Sequence, residues 1–395
     1  MSRRRILHVI TRLDNGGSAV STFLGAKISD DVRFEVALAV GGEAARSAAT
    51  ALGRRFGSGS WPVFPVTQMR RSLNPLRDCA AFFQLLGIMF RYKPDIVHTH
   101  TSKAGVLGRC AAFAYRILSR RRVGVVHTAH GHVFYGYFPP LKSRFYAQVE
   151  GFCAHLADRL VALSESEKRE SLERGVGRAA QWVVIHSGVD IPDFTGASDR
   201  RRELRSALGI GDGEVLAGFA GRLTAIKGLD ALIRAAAILK DRTELSFVLI
   251  GEGEERVRLE KLRDSLGLGK KVLFSGFQDK VFEWLCALDI FVHPSLNEGM
   301  GRSLVEAQAA GLPVVATTVC GIPDVVHDGK AGLLVPVYDT NALSGAIGRL
   351  AGDAALRLSL GAYGKAWVSG SDETGYPRFS TRSMALKLEA LYGSL

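Results

Sequence analysis

Short apolar runs recur along the first half of the chain, and each is followed by a glycine-rich or polar turn and then by a helical stretch. The runs occupy residues 6–10, 36–40, 96–97, 123–126 and 160–163. Continuous apolar runs are typical of strands that are buried on both faces, and helices that alternate with such strands connect them in parallel. The pattern therefore predicts a parallel α/β sheet in this half.

The same pattern starts again in the second half, with apolar runs at residues 215–219, 245–250, 272–274, 290–293 and 314–317. A polar, glycine-containing stretch over residues 188–201 separates the two series. We predict two Rossmann-like, doubly wound parallel-sheet domains, residues 1–190 and 191–375, and a C-terminal helix over 376–395 that packs back on the first domain. Ligands of such domains bind beyond the carboxyl ends of the strands, so the turns are expected to line a cleft. For any single glycine, a tight turn is the alternative.

Composition and charge narrow the class of protein. Of the 395 residues 47% are apolar, which excludes a disordered or collagenous chain. The formal net charge is +12, and residues 1–190 contain 27 lysines and arginines against 14 aspartates and glutamates. The positive excess thus lies in the first half. It favours an anionic partner there, which could be nucleic acid, an acidic membrane face or a phosphate-bearing substrate.

Cysteine usage and hydropathy favour a cytoplasmic protein. The five cysteines are too scattered for a zinc ribbon and fit reduced thiols; they are Cys79, Cys110, Cys153, Cys286 and Cys320. The sequence shows no signal-peptide pattern. Its longest mostly apolar stretch, residues 79–90, has about a dozen residues, whereas a spanning helix needs about twenty. We expect no integral membrane segment.

The first candidate for chemistry is the loop over residues 221–228, Gly-Arg-Leu-Thr-Ala-Ile-Lys-Gly, which leaves a predicted strand and opens a helix. Arg222 and Lys227 can turn toward one point near the helix N-terminus, which itself favours anions. The guanidinium fork and the ammonium point charge together suit the oxygens of a diphosphate. Solvated surface charges are the alternative for this pair.

The second candidate is the pair Glu298 and Glu306. Glu298 closes a predicted strand, Gly299 and Gly301 allow close backbone approach, and Glu306 lies one to two turns into the following helix. Two carboxylates in this setting suit the vicinal hydroxyls of a ribose and the hydroxyls of a sugar. A helix-starting glutamate with a surface glutamate is the alternative.

These motifs, taken in order with Ile250-Gly251-Glu252-Gly253, residues 310–316 and residues 328–335, resemble the retaining glycosyltransferases of family 4. The first half adds similar features at residues 16–17, 98–105, 128–132, 164–166 and 188–190. The resemblance implies the GT-B fold, in which two Rossmann-like domains face each other across a cleft. It also implies transfer of a sugar from a nucleotide-sugar donor, with a UDP-sugar favoured and a GDP-sugar as the alternative.

The resemblance assigns roles to the candidate residues. Arg222 and Lys227 would hold the diphosphate of the donor and stabilise the leaving group. Glu298 would contact the transferred sugar. His130 matches a histidine that lies near the sugar in the family, with His132 as the alternative.

Other positions are assigned to donor binding, and they are Gly16, Gly17, Gly253, Phe277, Gly299, Met300, Gly301 and Glu306. Glu306 would bind the ribose hydroxyls, and Phe277 would lie along the nucleobase. The chain departs from the family pattern at Ser187, where asparagine is usual, and at Met300, where an aromatic residue is frequent. Both departures bear on the choice of donor.

The expected chemistry uses no metal and no cofactor. Arg222 and Lys227 supply fixed positive charge at the leaving group, and the sequence has no Asp-x-Asp pair to bind Mg²⁺. A cluster of strand-end histidines could suggest zinc; it comprises His98, His100, His127, His130 and His132. Zinc would need a tetrahedral ligand set. Donation to sugar and phosphate oxygens explains these histidines more simply, so we predict no metal site.

The excess charge of the first half has candidate locations near apolar residues. Basic clusters occur at residues 3–5, 70–71 and 120–122, and an aromatic run at 134–138 lies beside Lys142. Basic residues beside aromatic ones suit an anionic membrane surface that carries a glycolipid or lipid-linked saccharide acceptor. We therefore expect a peripheral protein at the inner face of the cell membrane. Solvated charge and core aromatics are the alternative.

Three other functions are alternatives to glycosyl transfer. A sugar-nucleotide epimerase of the same architecture needs no acceptor, so it remains the alternative enzyme. A nucleic-acid-binding protein is disfavoured because no nucleic-acid motif is present. A dinucleotide oxidoreductase is disfavoured because neither domain has Gly-x-Gly-x-x-Gly after its first strand.

Overall fold

The computed structural model describes residues 3–14, 16–29, 33–57, 61–131, 134, 136, 138–191 and 197–395. The chain forms two compact units. The first contains the residues up to Gly188 together with Glu373–Tyr376 and Ser380–Leu395, and the second contains Val189–Asp372 together with Pro377–Phe379. We call these units the first domain and the second domain.

The first domain is built on a seven-stranded sheet. Its strands are β1 Arg4–Ile10, β2 Phe34–Gly41, β3 Val63–Val66, β4 Ile96–His100, β5 Gly124–Thr128, β6 Arg159–Ala162 and β7 Trp182–Val184. They lie in the order β3-β2-β1-β4-β5-β6-β7, and every neighbouring pair is parallel. Helices connect them: α1 Gly17–Ser29, α2 Ala45–Phe56, α3 Pro75–Tyr92, α4 Ser102–Ser119, α5 Pro140–Ala154 and α6 Glu165–Glu173.

The second domain is built on a six-stranded parallel sheet. Its strands are β8 Val215–Ala220, β9 Leu245–Ile250, β10 Val272–Gly276, β11 Ile290–His293, β12 Val314–Thr317 and β13 Gly332–Val335, in the order β10-β9-β8-β11-β12-β13. The helices that follow in the chain are α7 Ala197–Leu208, α8 Leu229–Ile238, α9 Arg256–Ser265, α10 Val281–Ala287, α11 Arg302–Ala309, α12 Ile322–Val325, α13 Thr340–Gly352 and α14 Ala354–Ser369. The two-sheet architecture predicted from the sequence is confirmed.

The last helix, α15 Thr381–Gly393, packs with the first domain. It lies against α1, and Met384, Leu388 and Tyr392 enter the core on that face of the first sheet. The opposite face is covered by α3, α4 and α5, whose buried side chains share a second core with the inward residues of β1, β4 and β5. Among the described helices, none combines the length and the apolarity needed to cross a bilayer.

Local sequence explains where α3 begins and ends. The Asn74 side chain caps the helix by accepting from the N–H of Arg77 at 3.1 Å, and Pro75 occupies the first turn, where its missing N–H costs nothing. The helix ends at Tyr92, and Lys93, which caps its C-terminus, has a left-handed φ of 54°. Buried Leu85 and Met89, spaced by one turn, hold its inner face on the sheet.

Each sheet has one place where the strand order reverses. In the first domain this point lies between β1 and β4, and in the second between β8 and β11. The loops that leave the two strands at such a point run in opposite directions, and the gap between them is where open parallel sheets bind ligands. The loops after β1, β4, β8 and β11 are therefore the structural candidates for a site.

Candidate functional site

The loops that leave β8 and β11 touch each other in the second domain. The N–H of Leu296 donates to the carbonyl of Ile226 at 2.8 Å. Gly228, at the end of the 3₁₀ turn Ala225–Lys227, has a φ of 61°, and a Cβ placed there would lie 2.2 Å from the carbonyl oxygen of Pro294. Only glycine fits this position. Its backbone lets Lys227 approach the β11 loop.

A second brace holds the beginning of the same loop. The N–H of Leu223 donates to the carbonyl of Glu252 at 2.9 Å, and the N–H of Glu255 donates back to the carbonyl of Leu223 at 3.0 Å. A Cβ on Gly253 would lie 2.1 Å from the Leu223 carbonyl oxygen. Gly253, which the resemblance assigns to donor binding, therefore has a packing role beside Arg222.

Lys227 and Glu298 form an ion pair across these loops, between Nζ and Oε2. The same carboxylate oxygen lies 3.1 Å from Nε2 of His293. Burial alone would raise the pKa of Glu298, but the Lys227 ammonium and the hydrogen bond from His293 outweigh it and lower this pKa to about 2. Glu298 is therefore ionised at neutral pH and acts as a hydrogen-bond acceptor, not as a proton donor.

His293 is the partner that sequence reasoning missed. Its ring is buried and stacks near Phe219 and Phe291, with centroids 5.6 and 6.1 Å away. Burial lowers the pKa of His293, although the Glu298 carboxylate opposes that shift. A neutral imidazole that donates from Nε2 fits this position. Its one sequence signal was a polar residue at the end of an otherwise apolar run.

The predicted donor residues of the loop after β11 and of α11 lie at the same edge of the second sheet. Glu298 does not close a strand as expected, because β11 ends at His293 and Glu298 lies in the loop beyond it. Gly301 has a φ of 82° and precedes α11, and Glu306 is half-buried one turn into that helix. Gly299 lies in the same loop and, like Met300, is buried.

Met300 and Phe277 differ in how much of each residue is exposed. Met300 is only 1% exposed, so its side chain belongs to the interior of the second domain. Phe277 follows β10 and is 50% exposed, which leaves a ring face open beyond the strand end. An exposed aromatic ring at this edge can stack on a planar group.

In the first domain, half-buried His130 continues a chain of imidazoles whose other members, His100 and His8, are buried. Its Nε2 lies 3.0 Å from Nδ1 of His100, and Nε2 of His100 lies 2.9 Å from Nδ1 of His8. The hydroxyl of Thr22 donates to the Ser18 carbonyl at 2.8 Å, so it accepts from Nε2 of His130 at 3.3 Å. This polarity leaves Nδ1 of His130 unprotonated, and Nδ1 has no partner among the described residues.

Burial keeps this chain neutral. It lowers the pKa of His130 to about 4 and that of His8 to about 3, and it lowers the pKa of His100 well below its usual value. The histidines line a cavity of about 20 Å³, which is room for one water molecule beside the rings. His8 was missed because it interrupts the apolar run that predicted β1.

The expectation that His98 and His127 donate to a ligand is wrong. Both lie inside strands and are buried. The nitrogens of His98 lie 2.6 Å from the Tyr392 hydroxyl and 2.8 Å from the Thr128 hydroxyl, and Nδ1 of His127 lies 2.9 Å from the Thr99 hydroxyl. Their polar groups serve the interior of the domain. His132 lies outside the described residues.

Three of these imidazoles lie close enough to raise the question of a metal. His8, His98 and His100 each bring one ring nitrogen within 4.8 Å of the others. Both nitrogens of His98 already have hydroxyl partners, and His8 and His100 contact each other at 2.9 Å. A cation would have to displace those hydrogen bonds, so the geometry favours a hydrogen-bond network over a tetrahedral metal site.

Gly16 and Gly17 lie where β1 gives way to α1. The N–H of Gly16 donates to the Asp14 side chain at 2.8 Å, and its carbonyl accepts from Val20 at 3.0 Å as α1 begins. Asn15, between Asp14 and Gly16, lies outside the described residues.

Ser187, where the family usually has asparagine, is buried in the first domain, and its hydroxyl donates to the Ser21 hydroxyl at 3.1 Å.

Two side chains of the aromatic run at residues 134–138, Phe134 and Phe138, are less exposed than the sequence suggested. Phe134 is buried in the first core, with the Arg174 guanidinium 5.3 Å from its ring centroid. Phe138 is half-buried, with Nζ of Lys142 4.4 Å from its ring centroid. Tyr135 and Tyr137 lie outside the described residues.

Comparisons with known proteins identify the family. The profile of glycosyl transferases group 1 matches residues 200–367, and that of glycosyltransferase family 4 matches residues 31–192. The chain is 31% identical over 302 residues to EpsD of Bacillus subtilis (strain 168), whose name describes a glycosyltransferase; the match covers 75% of this chain and 78% of EpsD. It is 29% identical over 303 residues to the Escherichia coli UDP-Gal:alpha-D-GlcNAc-diphosphoundecaprenol alpha-1,3-galactosyltransferase. That match covers 75% of this chain and 76% of the Escherichia coli enzyme.

Solved structures agree on the fold. The crystal structure of Anabaena Alr3699/HepE in complex with UDP and glucose superposes with a TM-score of 0.80 at 24% identity, and covers 100% of both chains. Two parallel-sheet domains, two family profiles that together span most of the chain and a relative at 31% identity point to the same family. The chain belongs to glycosyltransferase family 4, and it is a glycosyltransferase of the GT-B fold.

Proposed function

We propose that this glycosyltransferase moves a sugar from a UDP-sugar to a lipid-linked saccharide or polysaccharide precursor, with retention of the anomeric configuration and without a metal ion. The observation that carries the proposal is the Lys227–Glu298 ion pair at the strand-order reversal of the second domain. It places a fixed cation and an ionised carboxylate side by side at the edge where open α/β sheets bind ligands.

The pair divides the work at the donor between its two charges. Lys227 would stabilise the charge that develops on the diphosphate as the glycosidic bond breaks, and Arg222, five residues earlier in the same loop, would supply a second cation. Glu298, held ionised by Lys227 and His293, would accept hydrogen bonds from hydroxyls of the transferred sugar. Two cations in place replace the charge that a metal ion would provide, so metal independence follows from the proposed roles.

Other residues complete the proposed donor site. Glu306 would bind the ribose hydroxyls and Phe277 would stack along the nucleobase. The loop at Gly16 and Gly17 would approach the diphosphate. His130 would lie near the transferred sugar, with its imidazole oriented by His100 and Thr22. A GDP-sugar is the alternative donor.

The relatives support the choice of substrates. The Escherichia coli relative is named for a UDP-galactose donor and a diphosphoundecaprenol-linked acceptor. An acceptor with a lipid-linked diphosphate is anionic and membrane-bound, which agrees with the positive excess of residues 1–190. We infer a peripheral association with the inner face of the cell membrane and a role in cell-surface glycan synthesis, such as lipopolysaccharide or capsule.

The test is a panel of UDP- and GDP-sugars incubated with undecaprenyl-diphosphate-linked acceptors in the presence of EDTA. Nucleotide release is measured, and the anomeric configuration of the product is read by proton NMR. The proposal predicts acceptor-dependent release from a UDP-sugar and a retained configuration. Conversion of the donor alone to another sugar nucleotide would establish the epimerase instead, and dependence on added Mg²⁺ would refute the metal-independent mechanism.

A further inference from the structure

Helix α3 is apolar on two opposite sides. Its inner face packs on the sheet, whereas Leu76, Phe83 and Phe90, each two turns apart, project from the outer face. Leu76 is 84% exposed. Between Arg77 and Arg91, no exposed position of α3 carries a charge. A helix on the surface of a water-soluble protein normally has polar side chains on its outer face.

The neighbouring helices repeat this feature. The exposed side chains of α4 are all apolar, and they are Phe113, Ile117 and Leu118. On α5, Leu141 and Phe145 lie one turn apart, and Phe152 continues the stripe two turns later. Their exposed fractions reach 84% for Leu141 and 70% for Phe152.

The three helices form one layer, so these side chains belong to one surface. Helix α4 packs against both α3 and α5, and the ring of Phe90 on α3 contacts Tyr115 of α4 with centroids 5.1 Å apart. Of the seventeen large apolar side chains exposed in the described part of the chain, ten lie on these helices or just before α3. Single exposed apolar residues are ordinary, but a concentration on one layer indicates an interaction site.

The charge of this layer selects the partner. The three helices carry seven lysines and arginines and only two acidic residues. Both acids are neutralised locally, because Asp78 pairs with Lys103 at 2.6 Å and Glu150 pairs with buried Arg109 at 2.6 Å. Three further arginines at residues 120–122 follow α4 directly. Arg116 and Arg121 pair with Asp158 and Asp95, which lie outside the three helices. The other basic residues still outnumber the acids, so the layer is apolar and positive, and a second copy of this chain would meet like charge there.

We propose that the outer faces of α3, α4 and α5 dock on the surface of an anionic lipid bilayer. The apolar side chains enter the boundary between headgroups and acyl chains, and the surrounding arginines and lysines contact the lipid phosphates. The role of this surface in catalysis rests on the proposed function, since a lipid-linked acceptor is presented in such a bilayer. The docking itself is carried by the first domain.

The experiment is co-sedimentation of the full chain with phosphatidylcholine vesicles, with and without phosphatidylglycerol. The wild-type chain is expected to bind only the anionic vesicles, and the variant Leu141→Ser/Phe145→Ser/Phe152→Ser is expected to bind at least about tenfold more weakly. The matched control is Ile238→Ser/Val257→Ser/Leu358→Ser, which removes three exposed apolar side chains from the second domain and should leave binding unchanged. Thermal unfolding of each variant verifies its fold.

Several outcomes would overturn the proposal. These are no binding by the wild-type chain, equal binding to neutral and anionic vesicles, and unchanged binding by the α5 variant. A wild-type chain that dimerises and an α5 variant that does not would assign the surface to a second copy of the chain instead. No sugar and no acceptor enters the assay. Failure of docking would therefore leave the proposed reaction standing, and failure of the reaction would leave docking standing.

Discussion

The ammonium of Lys227 and the carboxylate of Glu298 are paired although 71 residues separate them in the sequence. Adjacency of β8 and β11 in the sheet brings them together. The pair is internal to the second domain, and a donor diphosphate would therefore compete with Glu298 for the Lys227 ammonium. Under the proposed function, Lys227 is thus both a structural cation and a ligand of the diphosphate.

Removing one partner of this pair should cost stability. Lys227→Met leaves a largely buried carboxylate without its cation, so the free energy of unfolding should fall by about 1–3 kcal/mol. The double variant Lys227→Met/Glu298→Gln should recover part of that loss, because its neutral amide needs no counter-charge. Urea unfolding of the two single variants and the double variant measures the coupling.

The control for this cycle is the pair of Arg202 and Asp199 in the same domain, whose side chains are each 77% exposed. Its double-mutant coupling should be below about 1 kcal/mol. If Lys227 and Glu298 couple no more strongly than this surface pair, the assignment of a structural ion pair is wrong.

Glycine at position 253 should be required for the Arg222 loop. In Gly253→Ala the new Cβ would overlap the carbonyl oxygen of Leu223, so we expect a loss of about 1–3 kcal/mol and a lower affinity for the donor. Gly213→Ala and Gly269→Ala are matched controls, since a Cβ there would meet nothing within 4 Å. Calorimetric melting of the three variants compares them. A Gly253→Ala variant as stable as the controls would show that the two loops are not tightly packed.

His100 should act by positioning His130. His100→Phe removes the nearer of the two acceptors of the His130 Nε2–H and leaves only the 3.3 Å contact with the Thr22 hydroxyl, so the tautomer of the imidazole is less firmly fixed. We expect kcat to fall about tenfold, the equivalent of one hydrogen bond, with KM little changed. Nitrogen-15 NMR of the imidazole should show the Nε2–H tautomer of His130 in the wild-type chain and a mixture in the variant.

His127→Gln serves as the control for this prediction. His127 is as buried as His100, but it bonds to Thr99 and is not part of the His8–His100–His130 network. An equal loss of kcat in both variants, with an unchanged His130 tautomer, would reduce the role of His100 to packing.

The buried histidines should make the first domain sensitive to mild acid. The unfolded chain takes up protons on its histidines below about pH 6.5, whereas folded His130 and His8 stay neutral down to about pH 4 and about pH 3. The unfolded state thus binds more protons in this window, and stability falls as the pH falls. The slope is about 1.4 kcal/mol per pH unit for each such histidine.

Denaturant unfolding between pH 7 and pH 4.5 tests this dependence, with His8→Gln expected to have a shallower slope. Glu298 contributes to the stability of the second domain, and this contribution changes at lower pH. Its folded pKa of about 2 is below the ordinary value of 4.5, so its contribution is complete above pH 4.5 and is lost as the pH falls toward 2. A first domain whose stability is flat from pH 7 to 4.5 would contradict the neutral imidazole chain.

Most of the fold could be predicted from the alternation of apolar runs and turns. The three strands that the pattern missed, β3, β7 and β13, all lie at sheet edges, and each has only three or four residues. Edge strands bury less surface and so need fewer apolar residues; β3 even contains Pro65, which an edge tolerates. The central strands carry the strong signal because both of their faces are covered.

The site was predictable residue by residue but not as an arrangement. Lys227 and Glu298 were assigned separate ligands, because nothing in a linear sequence shows that β8 and β11 are neighbours. His8 and Tyr392 were missed for a related reason, because each is a buried polar residue whose partners come from distant segments. His293 was missed although its partner Glu298 is only five residues away, because its burial at the end of an apolar strand has no local signal. The sequence predicted only part of the exposed layer of α3–α5. Apolar side chains seven residues apart lie on one face of a helix, but the sequence alone does not show whether that face packs on the sheet or is exposed.

The most direct test of the central claim is nucleotide release from a UDP-sugar by the wild-type chain and by Lys227→Ala, in EDTA and with a lipid-linked acceptor. The account predicts acceptor-dependent release of UDP by the wild-type chain and a rate at least about a hundredfold lower in the folded variant, because the variant lacks the cation at the leaving group. A wild-type chain that releases no nucleotide from any sugar nucleotide, or a variant that works at nearly the wild-type rate, would contradict it.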